Sequence, residues 1–456
     1  MLILWPIVTI LLFVTLRPHQ ALVWSVLGAY LLLPVKTSFE LPLIPSLDKT
    51  SISNLAVLAC CMIFVREKWL GAFKEPVVAA LAAIFILSPF GTAIFNPEPL
   101  VYADRFIPAM TMYDAAAQAA LNAITLIPFI AGYGLINSDE RRQRLLFIFL
   151  LSALAYSVLM LIEMRLSPQL HRMVYGFFPH SFGQQVRAGG FRPVVFLGHG
   201  LLVAIFCAMA VTAAMATWRA SSGKRRRNAG IMATYMWLML FLCKSLGATL
   251  IGSLFVPLIA WLRPRSLTIV CALISVLILV YPTVRASGLI PTAAILEATD
   301  AFSADRAGSF GLRMVNEEQL LQRTAQKPIF GWGSWGRNRI YAEDDGRDLS
   351  VTDGTWIIVF GSWGWIGYLS MFGLLCGGAI RLLWRKRSLK AVSVSSAALC
   401  ALLAINLMDS VPNSSIRPIT WLIAGAVFAI AARPPRRAFR PDVAPSVSGS
   451  PTPVNG

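Results

Sequence analysis

Apolar runs of about the length that crosses a hydrocarbon layer recur from one end of the chain to the other, each closed by a short polar stretch. They lie near 2–16, 20–35, 52–65, 76–95, 114–137, 145–163, 193–217, 231–246, 247–262, 267–283, 355–383, 393–408 and 418–432. The 231–246 and 247–262 runs meet at Leu246 and Gly247 with no polar loop between them, which predicts a tight hairpin or one broken helix, and a total of 12 or 13 spans. The pattern is that of an all-α polytopic membrane protein.

Two polar segments are too long to be turns, 164–192 and 284–354. They divide the chain into N-terminal spans with a smaller loop (1–283), a large loop (284–354), C-terminal spans (355–432) and a tail (433–456). Within the large loop, Ser309 is a candidate N-cap, and Leu312, Val315, Leu320 and Leu321 form an apolar stripe that predicts one helix ending before Pro328-Ile-Phe-Gly-Trp-Gly333. The tail is rich in Pro, Ser and Gly without apolar periodicity, which predicts disorder.

Composition agrees with the pattern: 57% of the 456 residues are hydrophobic and 14% charged, where a soluble domain carries roughly 25% charged residues. The net charge of +18 would raise the question of nucleic acid in a soluble protein. Here it sorts by side. The loops holding Arg17, Arg66 to Lys74, Arg141 to Arg144, Arg219 to Arg227, Arg263 and Arg265, Arg381 to Lys390 and the Arg433 to Arg440 tail together net the whole +18, which assigns that face to the cytoplasm and argues against nucleic acid as a partner. Thirteen spans place the N-terminus outside; twelve place both ends inside. The first run has no basic residue ahead of it and is followed by Arg17-Pro18-His19 and a second run, so it reads as a retained span and not a cleaved leader. The seven cysteines all fall inside apolar runs, where they read as small core hydrophobes and not as a disulfide or zinc framework.

Ionisable groups in or against the apolar layer call for a reason, and the sequence offers Glu163, Arg187, Arg192, Lys244, Arg313, Asp353 and Asp409. Glu163, beside Arg165, reads as half of an interfacial ion pair, and Asp409 marks the end of its span. Lys244 interrupts Phe241-Leu-Cys-Lys-Ser-Leu-Gly-Ala248, where snorkelling and anion binding are comparable explanations. Arg187 and Arg192 precede a span on the outer side, where charge sorting gives them no task, and a guanidinium fork suits phosphate oxygens. Walker A, His-Glu-x-x-His, Gly-x-Ser-x-Gly and clustered Cys/His patterns are missing, and the acidic stretch Glu343 to Asp348 lacks calcium-loop spacing.

Three stretches carry a family resemblance: Arg192-Pro-Val-Val-Phe-Leu-Gly-His-Gly200, Lys244-Ser-Leu-Gly-Ala248, and Gly311-Leu-Arg-Met-Val through Lys327-Pro-Ile-Phe-Gly-Trp-Gly333, followed by Asp353-Gly-Thr-Trp-Ile and Gly364-Trp-Ile-Gly367. In these the chain resembles the bacterial O-antigen ligase and O-antigen polymerase group of polytopic glycosyltransferases. The resemblance implies an inner-membrane enzyme that transfers a glycan from undecaprenyl diphosphate, on the periplasmic side, to an acceptor sugar hydroxyl, with neither metal nor nucleotide sugar as cofactor. Arg192 and Arg313 would meet the diphosphate, with Arg187, Arg306, Lys244 and His199 as further substrate contacts, although His199 also reads as a helix-start residue. Where the ligases carry His-Asn at the end of the large loop, this chain has Thr352-Asp353-Gly354. Asp353 would then address the acceptor, and a repeat-unit or exopolysaccharide polymerase is favoured over a ligase acting on lipid A core. Beyond donor, acceptor and membrane lipids, the resemblance leaves room for a chain-length regulator as partner. A transporter of envelope glycans and a scaffold subunit are the rival classes.

Overall fold

The computed structural model describes residues 1–40, 45–65, 69–187, 189–289, 291 and 304–432, without the side chains of 304–310. The expected disordered tail and the Arg306 side chain lie outside the described residues. Helices occupy all thirteen apolar runs: α1 Trp5–Thr15, α2 Pro18–Leu32, α3 Lys49–Phe64, α4 Pro76–Ile94, α5 Met112–Leu135, α6 Asp139–Leu166, α8 Gly200–Ala220, α9 Gly223–Leu242, α10 Leu246–Trp261, α11 Pro264–Ala286, α13 Thr355–Trp384, α15 Val394–Asp409 and α16 Pro418–Ala432. Two short helices, α7 Leu170–Tyr175 and α14 Lys386–Lys390, and a loop helix, α12 Ala304–Ala325, join them. Six of the helices are long and apolar enough to cross a bilayer, and five shorter apolar ones pack among them. This is a multi-pass membrane protein of the all-α class.

Local chemistry sets the helix starts. Proline opens α2, α4 and α11, where a missing N–H costs nothing; Asp48 caps α3, Thr111 and Asp114 form a reciprocal capping box on α5, and Ser138 caps α6. Helix α8 is the central post: apolar on every side, it is buried over 83% of its apolar window, against 39% for α4 and α11. Glycines let neighbours close in, as where α5 crosses α16. A Cβ on Gly132 would strike the Leu422 carbonyl, and one on Gly425 the Phe129 carbonyl.

The basic loops are tied together at one end. Glu75 pairs with Arg381 at 2.7 Å, Asp139 accepts from Ser393 and Ser395, and Arg219 donates to the Ile259 and Leu262 carbonyls at the end of α10. That last contact ties the end of α8 to α10, while Trp237 Nε1, donating to Ser253 Oγ at 3.0 Å, joins α9 to α10 as an antiparallel hairpin; its turn is Lys244, held at φ 52. The two-helix alternative is therefore the one adopted.

Three expectations are corrected. The 193–217 run is helical only from Gly200, since its first residues form an irregular segment held by Glu163. That carboxylate, 1% exposed, accepts from the Val194 and Val195 N–H groups at 2.7 Å each and from Leu170 N–H at 3.0 Å; it anchors backbone where an ion pair with Arg165 was expected. The loop helix begins at Ala304, ahead of Ser309, so Ser309 is no N-cap.

The Pro328–Gly333 turn is a structural joint. Helix α13 breaks at Gly364 (φ 62, ψ −164), and the turn fills the break. Trp332 and Gly333 N–H donate to the Gly361 and Ser362 carbonyls at 2.9 and 2.8 Å, while Trp365 and Ile366 N–H donate to the Pro328 and Ile329 carbonyls at 2.8 and 3.2 Å. Two carbonyls and two N–H groups beside the break thus find partners in the turn, as an apolar setting favours. Thr92 of α4 and Asn96, just past its end, hold the other side through the Phe330 and Gly331 carbonyls at 2.7 and 3.0 Å. Arg285, closing α11, grips α12 through Glu317 (3.4 Å), Glu318 (3.3 Å) and the Met314 carbonyl (3.2 Å).

Candidate functional site

At the end away from the basic loops, the residues singled out by sequence lie around the start of α8. A small hairpin, β1 Val186–Arg187 and β2 Gly190–Phe191, lies against the Lys244 turn, with Lys244 Nζ donating to the Arg187 carbonyl at 3.0 Å. A side chain at Gly190 would strike that ammonium. The Arg187 side chain is exposed.

Arg192 follows the hairpin and is only 3% exposed. Its backbone N–H donates to the Gln185 carbonyl at 2.8 Å and its Nε to the Cys243 carbonyl at 3.4 Å, but its Nη2, also buried, has no hydrogen-bond partner among the described residues. Gly200 packs directly below: an added Cβ there would sit 3.2 Å from Arg192 Cβ and 3.3 Å from Nε. Burial, with Arg187 nearby, pushes the Arg192 guanidinium down to about 10. An unmatched guanidinium face under these conditions is short of an anion.

His199 caps α8, its Nδ1 accepting from Leu201 N–H at 3.0 Å, so the helix-start role is real. With Nδ1 accepting, the neutral ring carries its proton on Nε2, which faces Gln184 Oε1 at 3.3 Å; the His180 ring packs edge-on at 4.7 Å. Burial first, then the charges of His180, Arg192, Arg187 and Arg313, push the His199 ring down to about 4. At neutral pH it is therefore a neutral N–H donor. Because the folded value lies below the ordinary value of 6.5, the unfolded chain binds the extra proton, so the stability involved is complete above pH 6.5 and is lost as pH falls toward 4. In histidine-labelled NMR spectra the ring is expected to titrate near 4 in the protein alone and to move upward when pyrophosphate is added. A ring that titrates at 6.5 in both states would remove the cationic surroundings from the picture.

Arg313 comes from α12 and pairs with Asp353, just ahead of α13, at 3.2 Å; the two side chains are 37% and 41% exposed. The Arg313 charge also bears weakly on His199 and on Asp409. The acidic stretch near 343–348 is a turn, with Asp348 paired to Arg339 and accepting from Ser350.

The structure thus gathers Arg187, Arg192, His199, Lys244 and the Arg313–Asp353 pair. It adds His180, Gln184 and Gln185, which sequence reasoning passed over, and Arg417, which precedes α16 and acts on Asp409 beside Arg313. Arg417 was findable: like Arg187, it is an arginine on the face where charge sorting gives it no task. Compared with models of protein families and with curated proteins, the chain matches none of them. Function has to be read from the site's own chemistry.

Proposed function

We propose that this protein transfers a glycan from an undecaprenyl-diphosphate carrier to an acceptor sugar hydroxyl, at the periplasmic face of a bacterial inner membrane. The observation that carries the reading is the half-matched, buried Arg192 guanidinium within an excess of cations, at the end away from the basic loops. Positive charge there suits a leaving group that gains negative charge as the sugar–oxygen bond to the diphosphate breaks. Arg192 and Arg313 would stabilise that charge, Arg187 and Lys244 would steer the carrier in, and the His199 Nε2–H would donate to an oxygen of the donor.

The Arg313–Asp353 pair suggests how donor and acceptor are coupled. When a diphosphate draws Arg313 to itself, Asp353 loses its partner and its carboxylate is released to accept the proton of the attacking hydroxyl. A carboxylate in this role favours a polymerase joining repeat units over a ligase acting on lipid A core.

The test uses purified protein, a polyprenyl-diphosphate-linked glycan and no ion gradient. Wild type is expected to lengthen or transfer the glycan, and Arg313→Ala to fall by about 10²-fold or more. Normal transfer by Arg313→Ala removes the core of the proposal, and consumption of donor only across a sealed, energised membrane would point to a transporter. In cells, loss of the chain is expected to leave single repeat units; long chains that persist on the carrier would instead identify a ligase.

A further inference from the structure

At the basic end, away from the proposed transfer site, five helices line a cavity of about 930 Å³. Its walls come from the start of α2, the first turns of α6 and α9 and the last turn of α8, with Ser395 at the start of α15. The lining has two characters. Arg17, Gln143, Arg144, Arg225 and Asn228 form a polar side, while Leu146, Phe147, Leu150 and Met232 form an apolar one. Phe147 is 46% exposed and Ile231, next to Met232, is 63% exposed, so the apolar side borders the surface that faces acyl chains.

Other arginines at this end are occupied. Arg141 donates to the Leu135 carbonyl at 3.0 Å, Arg219 closes α10, Arg226 stacks on Trp218 at 4.2 Å and Arg381 pairs with Glu75. Arg144 and Arg225, by contrast, line the cavity with no ion pair among the described residues, and the Arg144 guanidinium lies 5.4 Å from the Phe147 ring, where the polar side meets the apolar one. Among the described residues the only acid in the lining, Glu140, faces Arg17 at 3.9 Å, with both side chains mostly in solvent. Such an exposed pair neutralises little.

We propose that this cavity binds an anionic phospholipid from the leaflet at the basic end. Its phosphate sits between Arg144 and Arg225, and an acyl chain runs along Leu146, Phe147 and Leu150. The cationic side selects the charge, because guanidinium forks match phosphate oxygens. The apolar side selects a lipid over a soluble anion, which would leave that wall wet.

The full chain, purified in a neutral detergent, is titrated with phosphatidylglycerol or phosphatidylcholine and followed by native mass spectrometry and thermal unfolding. Phosphatidylglycerol is expected to be retained and to raise the unfolding temperature, phosphatidylcholine not. Arg144→Gln/Arg225→Gln is expected to weaken phosphatidylglycerol binding by about tenfold or more, whereas Arg263→Gln/Arg265→Gln, with the same charge removed at the same end, keeps it. Arg225→Gln alone, at an exposed position, serves should the double variant fold poorly. Equal retention of both lipids, equal loss in both double variants, or displacement of the lipid by inorganic phosphate would each overturn the proposal. Glycan transfer enters none of these readouts.

Discussion

Replacing Arg192 with alanine is expected to lower glycan transfer by about 10²–10³-fold, the usual consequence of removing one preorganised charge from a developing anion. The same substitution should leave the protein at least as stable as wild type. A buried cation with one unmatched Nη2 is costly to hold, and its guanidinium makes one long bond, 3.4 Å to the Cys243 carbonyl. Arg192→Lys should recover only part of the activity, since a point charge cannot fork across two oxygens. Transfer assays beside unfolding curves separate the alternatives: a drop in both would mark Arg192 as a structural prop, and unchanged transfer would remove it from the site.

The second large effect is on folding. Gly364→Ala places a Cβ at φ 62, ψ −164, a conformation essentially confined to glycine. That atom would also run into the Ile329 carbonyl and lie 2.7 Å from the Gly331 nitrogen. The backbone strain alone is worth about 1–3 kcal/mol, and the clash with backbone that cannot move aside adds to it. Gly331→Ala (φ 71) attacks the same joint from the turn, with its Cβ 2.5 Å from the Ser362 carbonyl group. Both variants are expected to give little folded protein by size-exclusion chromatography and a sharply lowered unfolding temperature. Wild-type melting of Gly364→Ala would show that the turn does not depend on the break in α13.

Those two sites also mark where sequence reasoning succeeded and where it stopped. The thirteen helices were legible because apolar length is a local property of the chain. Arg187, Arg192 and Lys244 were legible because charge on the far face has no topological task. The joint was half legible: Pro328 to Gly333 read as a turn and Gly364 stood out in the next apolar run, but the exchange of four hydrogen bonds between them is a long-range fact with no periodic signature. The start of α8 was misplaced for a similar reason. Val194, Val195, Phe196 and Leu197 are as apolar as a helix, but side chains some thirty to forty residues upstream divert the first three N–H groups: the Glu163 carboxylate takes those of Val194 and Val195, and the Tyr156 hydroxyl takes that of Phe196. The Arg313–Asp353 pair likewise joins residues forty positions apart.

The α9–α10 hairpin bears on how the chain enters the membrane. Its turn offers a single charged side chain, so no hydrophilic loop is available to be carried across between two separately inserted helices. Lys244 must instead traverse the apolar layer once, at about 2.5–3.5 kcal/mol on an insertion scale. Neither helix is well suited to meet that cost alone: α10 has 16 residues, and α9 opens with Lys224, Arg225, Arg226 and Arg227. The two are therefore expected to enter as one paired unit, lysine first, with the arginines left behind as a brake that sets the depth at which it stops.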